Sequence, residues 1–290
     1  MPTITADDGV RLYYEEAGQG TAILFVHEFL GEVRSWEAQL RYFSRRYRCI
    51  AYNARGYPPS DVPEKVEDYS FEHQRAGIRA MLDGLKIDKA HVVGLSMGAF
   101  ATFYFGMKWP ERALSLTLAG IGSGSMPEGR AKFAQESQAR AERLLAEGWE
   151  KNAEILGLSP TRVQLQNKNP RAFAEFIALL KQHSAKGSAL TLKGYQALRP
   201  RLQDFRQEMQ SCAVPTQIIS GDEDEPCLDA SLMLKRNMPS AGLVFMPQTG
   251  HACNLEEPGL FNTMCEQFFH QVESGQYRMR DPRAQSDRVL

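Results

Sequence analysis

Short apolar segments alternate with helix-like segments along the first 120 residues, and this alternation constrains the fold more than any other feature of the chain. The strand-like segments are RLYYEEA (11–17), TAILFVH (21–27), RCIAYN (48–53), HVVG (91–94) and LSLTLAG (114–120). Helix-like segments separate the later ones, at 35–47, 72–85 and 96–110. Strands that alternate with helices predict parallel pairing with helices on both faces. We therefore expect an α/β, doubly wound fold with a mostly parallel central β-sheet.

The middle of the chain has a different pattern. From 124 to 210, charged helical stretches dominate and little resembles a strand. Strand-like segments return at TQIISG (216–221) and AGLVFMP (241–247), followed by a last helix at 259–272. We predict a core (1–123), an inserted α-helical cap (124–210), the second part of the core (211–273) and a polar C-terminal tail (274–290). A separate helical domain would give the same pattern.

The composition argues against several kinds of partner. The 290 residues include 34 Lys and Arg against 35 Asp and Glu, a formal net charge of −1, so nothing favours binding to nucleic acid or to an anionic membrane. The N-terminus lacks the pattern of a secretion signal, and no segment is apolar for long enough to span a bilayer. Five cysteines without a CxxC pair predict reduced thiols. We expect a cytoplasmic protein, and the sequence leaves association into a homo-oligomer open.

The segment GLSMG (94–98) places Ser96 between two glycines, directly after an apolar strand and before a helix. This pattern is typical of a nucleophile elbow, a strained turn that exposes the serine hydroxyl and needs glycines to avoid collisions. A small residue at an ordinary strand-to-helix junction would give the same letters. A serine nucleophile also requires a base and a group that orients the base, so the rest of the chain must supply both.

Candidates for the base and its partner follow the last two predicted strands. His251 lies in a loop directly after 241–247, whereas the other five histidines have contexts typical of surface or core histidines. Asp224, with Asp222 as the alternative, follows 216–221 and stands between Ser96 and His251 in the chain. Loops at the carboxyl ends of parallel strands meet at one edge of a sheet, so these side chains can converge. The other interpretation of the acidic cluster is a solvated turn.

Five motifs in this order resemble the α/β-hydrolase fold family. VHEFLG (26–31) resembles its oxyanion loop, NARGYPPSD (53–61) its DxRGxGxSD loop and GLSMG its elbow, while GDEDEP (221–226) and GHACNLEEP (250–258) resemble its acid and histidine loops. The resemblance implies Ser96 as nucleophile, Asp224 as acid and His251 as base. It also implies an oxyanion hole made by the backbone N–H groups of Phe29 and Met97. It calls for neither a metal nor an organic cofactor.

Glu28 departs from the family pattern, which usually has glycine at this position. A carboxylate directed into an oxyanion hole would repel the charge that develops there. We expect Glu28 to turn away and pair with an arginine such as Arg34 or Arg55; the alternative is that it binds a polar substrate group or positions water. Asn53 and Pro58, where Asp and Gly are commoner, are interpreted as local backbone variation.

The resemblance implies a serine hydrolase that forms an acyl-enzyme with a small-molecule substrate, a carboxylic ester or a lactone. Hydrolysis of a carbon–carbon bond in a β-diketone or ring-fission product, or perhydrolysis, would use the same fold, since fold does not fix function. A ligand receptor is a further alternative, against which the full set of serine, acid and histidine argues. Trp149 and Tyr195 are expected to help cover an apolar pocket, although packing between helices is the other interpretation.

Overall fold

A computed structural model describes residues 1–285, and its centre is one eight-stranded sheet. The strands are β1 (Thr3–Thr5), β2 (Arg11–Ala17), β3 (Ala22–Val26), β4 (Arg48–Tyr52), β5 (Ala90–Leu95), β6 (Ala113–Ala119), β7 (Thr216–Gly221) and β8 (Ala241–Met246). Their spatial order is β1-β2-β4-β3-β5-β6-β7-β8, and only the pairs β1–β2 and β2–β4 are antiparallel. The predicted α/β, doubly wound, mostly parallel fold is confirmed, and β1 is the strand that the sequence pattern missed.

Eleven α-helices are found in residues 1–285. They are α1 (Glu37–Phe43), α2 (Phe71–Gly84), α3 (Met97–Lys108), α4 (Pro127–Gly157), α5 (Val163–Lys168), α6 (Pro170–Leu180), α7 (Ala185–Thr191), α8 (Arg206–Ser211), α9 (Glu225–Asn237), α10 (Cys253–Glu256) and α11 (Pro258–Glu273). Helices α1 and α11 pack on one face of the sheet, and α2, α3 and α9 pack on the other. Of these helices, none is long and apolar enough to cross a bilayer.

Every residue of β3 is buried, because both faces of the sheet are covered. Ile23 and Phe25 point into the apolar cluster under α1 and α11, whereas Leu24 and Val26 point into the cluster under α2 and α3. This alternation follows from the two-residue period of a strand. It explains why the central strands are continuous apolar runs in the sequence.

The strand order places the ends of β3 and β5 side by side. After β4 has paired with one edge of β3, the chain crosses over and β5 pairs with the other edge, with Val26 opposite Gly94. The crevice beyond such a reversal in strand order is where ligands bind in open α/β sheets. The loop after β3 (27–32, called the β3 loop below) and the turn at Ser96 therefore border this crevice.

All regular structure between β6 and β7 is helical, with α4 to α8 forming the cap. A kink at Gly148, whose φ is +72°, divides α4 into two helical pieces. Most members of a third apolar cluster come from the cap, among them Leu144, Trp149 and Leu180, and Leu30 and Ala252 join it from the core. The predicted boundary at 124 lies in the loop before α4, and the one at 210 lies inside α8.

The predicted tail (274–290) is described as far as residue 285, and residues 286–290 lie outside the described part. Its first half is attached to the sheet: the Tyr277 hydroxyl donates to the carbonyl oxygens of Thr216 (2.9 Å) and Ser240 (3.0 Å). This contact holds the start of the tail against β7 and β8.

Candidate active site

Ser96 occupies a strained turn between β5 and α3. Its φ of +53° and ψ of −113° are unusual for a residue other than glycine. The neighbouring glycines are required by close packing, because a Cβ on Gly98 would collide with the carbonyl of Val26 and one on Gly94 with the carbonyl of Gly98. The Ser96 amide donates to the carbonyl oxygen of Ala119 at 2.8 Å, which fixes the turn against β6. This geometry is that of a nucleophile elbow.

His251 and Asp224 are hydrogen-bonded in the loops that follow β8 and β7. His251 Nδ1 lies 2.7 Å from Asp224 Oδ2, and both residues are buried. Asp222, the alternative acid, is exposed and accepts a hydrogen bond from the Thr249 amide at 3.2 Å. The structure therefore places Asp224, and not Asp222, against the imidazole.

His251 and Asp224 each change the pKa of the other. Burial by itself lowers the pKa of His251, but the charge and hydrogen bond of Asp224 outweigh burial and raise that pKa above 6.5. Burial by itself raises the pKa of Asp224, but the charge and hydrogen bond of His251 leave that pKa below 3.8. Asp224 is thus held as a carboxylate, and His251 is a stronger base than a free histidine.

Ser96 and His251 line the same cavity, of about 540 Å³, between the sheet edge and the cap. Within residues 1–285, neither the Ser96 hydroxyl nor His251 Nε2 has a hydrogen-bond partner, so both remain available to a substrate. Gly120, after β6, leaves room for the imidazole: a Cβ there would lie 3.3 Å from His251 Cε1. The Gly120 φ of +55° also favours glycine.

The backbone N–H groups of Phe29 and Met97 have no acceptor among the described residues, as an oxyanion hole requires. Hydrogen bonds of His27 and of the Phe29 carbonyl oxygen hold the β3 loop that carries Phe29. His27 Nδ1 lies 2.6 Å from the carbonyl oxygen of Glu28, and His27 Nε2 accepts from the Ala54 amide at 3.0 Å. Burial lowers the pKa of His27 to about 4, so His27 is neutral and structural. The Tyr57 hydroxyl donates to the Phe29 carbonyl oxygen at 2.8 Å.

Glu28 is paired with Arg162 of the cap, so the expected partners Arg34 and Arg55 are wrong. Arg34 pairs instead with Glu32, and Arg55 with Asp8. Glu28 also lines the cavity and does not turn away from it. The sequence could not indicate this pair, because Arg162 is 134 positions away and arrives only when the cap folds over the β3 loop. The positive charge of Arg162 offsets the negative charge of Glu28, which would otherwise repel an oxyanion bound at the Phe29 amide.

Trp149 and Tyr195 do not line the cavity. Trp149 packs inside the cap, where its Nε1 donates to Ser188 Oγ at 3.1 Å. The Tyr195 hydroxyl donates to the carbonyl oxygen of Met97 at 3.2 Å, which ties the cap to the first turn of α3. Both side chains therefore pack within the protein and do not face the cavity, in agreement with the packing interpretation.

The cavity wall is more charged than the expected apolar pocket. Among the described residues, Phe29, Leu30, Phe133, Leu156 and Leu192 give it an apolar part. Its charged members are Glu28, Lys132, Glu136, Arg140, Arg162, Arg199, Glu223 and Glu225. The charged cap residues belong to no sequence motif, and although Lys132, Glu136 and Arg140 recur every four residues on α4, this spacing does not show that their face borders the cavity.

Asp224, Cys227 and His251 are the described residues whose side chains come close enough together to suggest a metal site. Their ligand atoms all lie within 4.8 Å of one another. A cysteine binds a metal ion as its thiolate, whereas burial raises the pKa of Cys227 well above 9.0 and keeps it a thiol. The Asp224 carboxylate is also engaged by His251 Nδ1, so the chemistry of this group fits a hydrogen-bonded acid and base better than a cation. Cys253, close to His251 in the sequence, is buried and its pKa is raised by burial.

The elbow, the buried acid–histidine pair and the helical cap on a doubly wound sheet define a hydrolase of the α/β type. The sequence profile of the α/β hydrolase fold matches residues 21–258, and the chain belongs to this family. It is 27% identical over 270 residues to 3-oxoadipate enol-lactonase 2 of Acinetobacter baylyi, covering 91% of this chain and 94% of the relative.

Two further comparisons cover most of the chain. It is 28% identical over 275 residues to 2-hydroxy-6-oxo-6-phenylhexa-2,4-dienoate hydrolase of Burkholderia cepacia, which is 89% of this chain and 91% of that protein. A thermophilic esterase from Thermogutta terrifontis, solved with malate bound, superposes with a TM-score of 0.82 at 23% identity, covering 93% of this chain and 98% of the esterase. The last likeness is one of fold.

Proposed function

We propose that this enzyme is a serine hydrolase that cleaves a small carboxylic ester or lactone through an acyl-enzyme. The observation that carries the proposal is the 2.7 Å contact between His251 Nδ1 and Asp224 Oδ2, because His251 lines the same cavity as Ser96. A carboxylate that orients and charges the imidazole makes Nε2 the base that a serine hydroxyl needs. Similarity over nearly the whole chain to an enol-lactonase supports this choice of bond.

The reaction has two steps. Ser96 Oγ attacks the carbonyl carbon while His251 Nε2 takes the hydroxyl proton, and the carbonyl oxygen, now negative, accepts hydrogen bonds from the Phe29 and Met97 amides. His251 then gives its proton to the leaving alkoxide as the carbon–oxygen bond breaks. Water, deprotonated by His251, then attacks the acyl-enzyme. His251 returns this proton to Ser96 Oγ as the bond between the acyl carbon and Oγ breaks, which releases the acid and restores the Ser96 hydroxyl. Asp224 stays ionised throughout and stabilises the imidazolium.

A panel of p-nitrophenyl esters and unsubstituted lactones tests the proposal, with the Ser96→Ala variant as control. We expect turnover of at least one member and a loss of several orders of magnitude in the variant. Absence of turnover across the panel, or full turnover by Ser96→Ala, would contradict it. Asp222→Asn serves as a matched control for Asp224→Asn, because it removes a neighbouring carboxylate that does not touch His251.

Hydrolysis of a carbon–carbon bond is the second candidate, because the Burkholderia cepacia relative is by name a dienoate hydrolase and resembles this chain over most of its length. The same serine, histidine and aspartate would serve, with a carbanion in place of the alkoxide as leaving group. A ring-fission dienoate added to the panel separates the candidates. Faster turnover of the dienoate than of every ester and lactone would favour the second.

A further inference from the structure

Arg199, in the segment that follows α7, is a buried arginine without an acidic partner on the wall of the catalytic cavity. Only 3% of its surface is exposed, and within residues 1–285 no carboxylate lies within 4 Å of its guanidinium. Nη2 donates to the carbonyl oxygen of Ser123 at 2.5 Å, whereas Nη1 is buried and has no partner. Burying a charge costs free energy unless an opposite charge or hydrogen bonds compensate it.

The guanidinium is held in one orientation by its neighbours. It lies over the ring of Phe100, 3.8 Å from the centroid, and 4.9 Å from the centroid of Phe133. Burial lowers the pKa of Arg199 to about 10, which still leaves it protonated at neutral pH. Arg130 donates to the carbonyl oxygens of Ala197 and Arg199, and its positive charge further lowers the pKa of Arg199.

A second buried polar group on the same wall also lacks a partner. Gln196, three residues before Arg199, lines the cavity, and its Oε1 is buried without a hydrogen bond. The side-chain NH2 group of Gln196 makes no hydrogen bond within residues 1–285 either, so it is free to donate. Arg199 and Gln196 can thus offer N–H donors together to an anion in the cavity.

We propose that Arg199, assisted by Gln196, binds a carboxylate group of the substrate, so that the natural ester or lactone carries a free carboxylate besides the bond that is cleaved. This inference rests on the proposed function, because it concerns the same cavity as Ser96. A guanidinium matches a carboxylate in charge and in planar geometry, and the hydrogen bond is strong where water is excluded. Of the four arginines and lysines on the wall, Lys132, Arg140 and Arg162 already face carboxylates, and Arg199 does not.

Pairs of chromogenic esters measure the effect. Each pair consists of the mono-p-nitrophenyl ester of a dicarboxylic acid, from glutarate to suberate, and the same compound with its free carboxylate methylated. The reacting carbonyl and the leaving group are identical within a pair, so the ratio of kcat/KM for the free acid to that for the methyl ester isolates recognition of the carboxylate. For the wild-type enzyme we expect a ratio above 10 at one chain length at least.

Three variants locate the recognition. Arg199→Gln is expected to lower the ratio about 10- to 100-fold, chiefly through KM of the free acid, because a hydrogen bond to a charged group is lost. Arg199→Lys keeps the charge without the planar fork and is expected to restore part of the ratio. Arg143→Gln, on α4, is the matched control: it removes one cap arginine that pairs with Glu147 outside the cavity, and the ratio should stay at the wild-type value.

The outcomes are distinct. If Arg199 only supports the cap, Arg199→Gln lowers kcat/KM for both members of a pair equally, and the proposal is overturned. A wild-type ratio of one or less at every chain length overturns it without any variant, even if Arg199→Gln fails to fold. If neither member is hydrolysed and a fluorophosphonate does not label Ser96, the proposed function itself has failed; if the methyl esters are hydrolysed without preference for the free acids, only the carboxylate proposal has.

Discussion

Arg162 of the cap and Glu28 of the β3 loop form an ion pair in which the two side chains are only 8% and 2% exposed. The pair joins the cap to the core beside the candidate oxyanion hole. Glu28 Oε1 and Arg162 Nε have no hydrogen-bond partner within the described residues, so the pair is the main compensation for two buried charges. Its removal should therefore affect both stability and catalysis.

Loss of one partner should destabilise the protein more than loss of both. Glu28→Gln and Arg162→Met should each lower the free energy of unfolding by about 3–5 kcal/mol, because the remaining charge is buried and unpaired. The double variant should be more stable than either single variant. Denaturant unfolding measures the difference, with Arg171→Gln as control. Arg171 pairs with Glu175 on the surface and should matter by less than about 1 kcal/mol. A double variant that is the least stable of all would contradict this account.

The ion pair of Glu28 and Arg162 should also affect the rate of ester hydrolysis. Arg162→Met leaves the negative charge of Glu28 uncompensated near the Phe29 amide, where it opposes the oxyanion. We expect kcat for a p-nitrophenyl ester to fall at least about tenfold further in Arg162→Met than in the double variant with Glu28→Gln. Equal values in the two would show that the carboxylate does not act on the transition state.

The pH dependence of hydrolysis should report the raised pKa of His251. Attack requires the neutral imidazole, so kcat/KM should rise with pH through a midpoint above 6.5 and then level off. Asp224→Asn removes the charge that raises this pKa and should move the midpoint down. Glu28→Gln should also move it down, and Arg162→Met should move it up, since these charges act on His251 with opposite signs. A midpoint that stays fixed in all three variants would exclude His251 as the titrating base.

The elbow glycine should tolerate no side chain. Gly98→Ala places a methyl group against the backbone of Val26, which cannot move without distorting β3, so we expect a loss of several kcal/mol, on the order of 3. Gly259→Ala, at the start of α11, is the control, because no atom lies within 4 Å of the added Cβ and alanine favours a helix. Thermal unfolding compares the two. A Gly98→Ala variant as stable as Gly259→Ala would show that the turn is looser than described.

Much of this architecture could be predicted because it depends on local pattern. The apolar runs of β3 and β5 are buried on both faces, and the positions of Ser96, Asp224 and His251 follow from where strands end. Short β1 was missed because three residues carry too little pattern to distinguish a strand from a loop.

The chemistry of the cap could not be predicted in the same way. Arg162 and Arg199 acquire their roles from contacts with Glu28 and Ser123, which are distant in the chain, and nothing in their neighbouring residues distinguishes them from other arginines. Trp149 and Tyr195 gave a misleading signal: Tyr195, for example, is completely buried behind the cavity, where apolar area and one hydrogen bond decide its position.

The site and rate of fluorophosphonate labelling test the central claim most directly, namely that His251 activates Ser96. We expect one adduct, on the peptide that contains Ser96, in the folded enzyme at neutral pH. In His251→Ala, labelling should be slower by about 10²- to 10⁴-fold, the usual contribution of a general base. Labelling of a different residue, or of Ser96 at an equal rate without His251, would contradict the account.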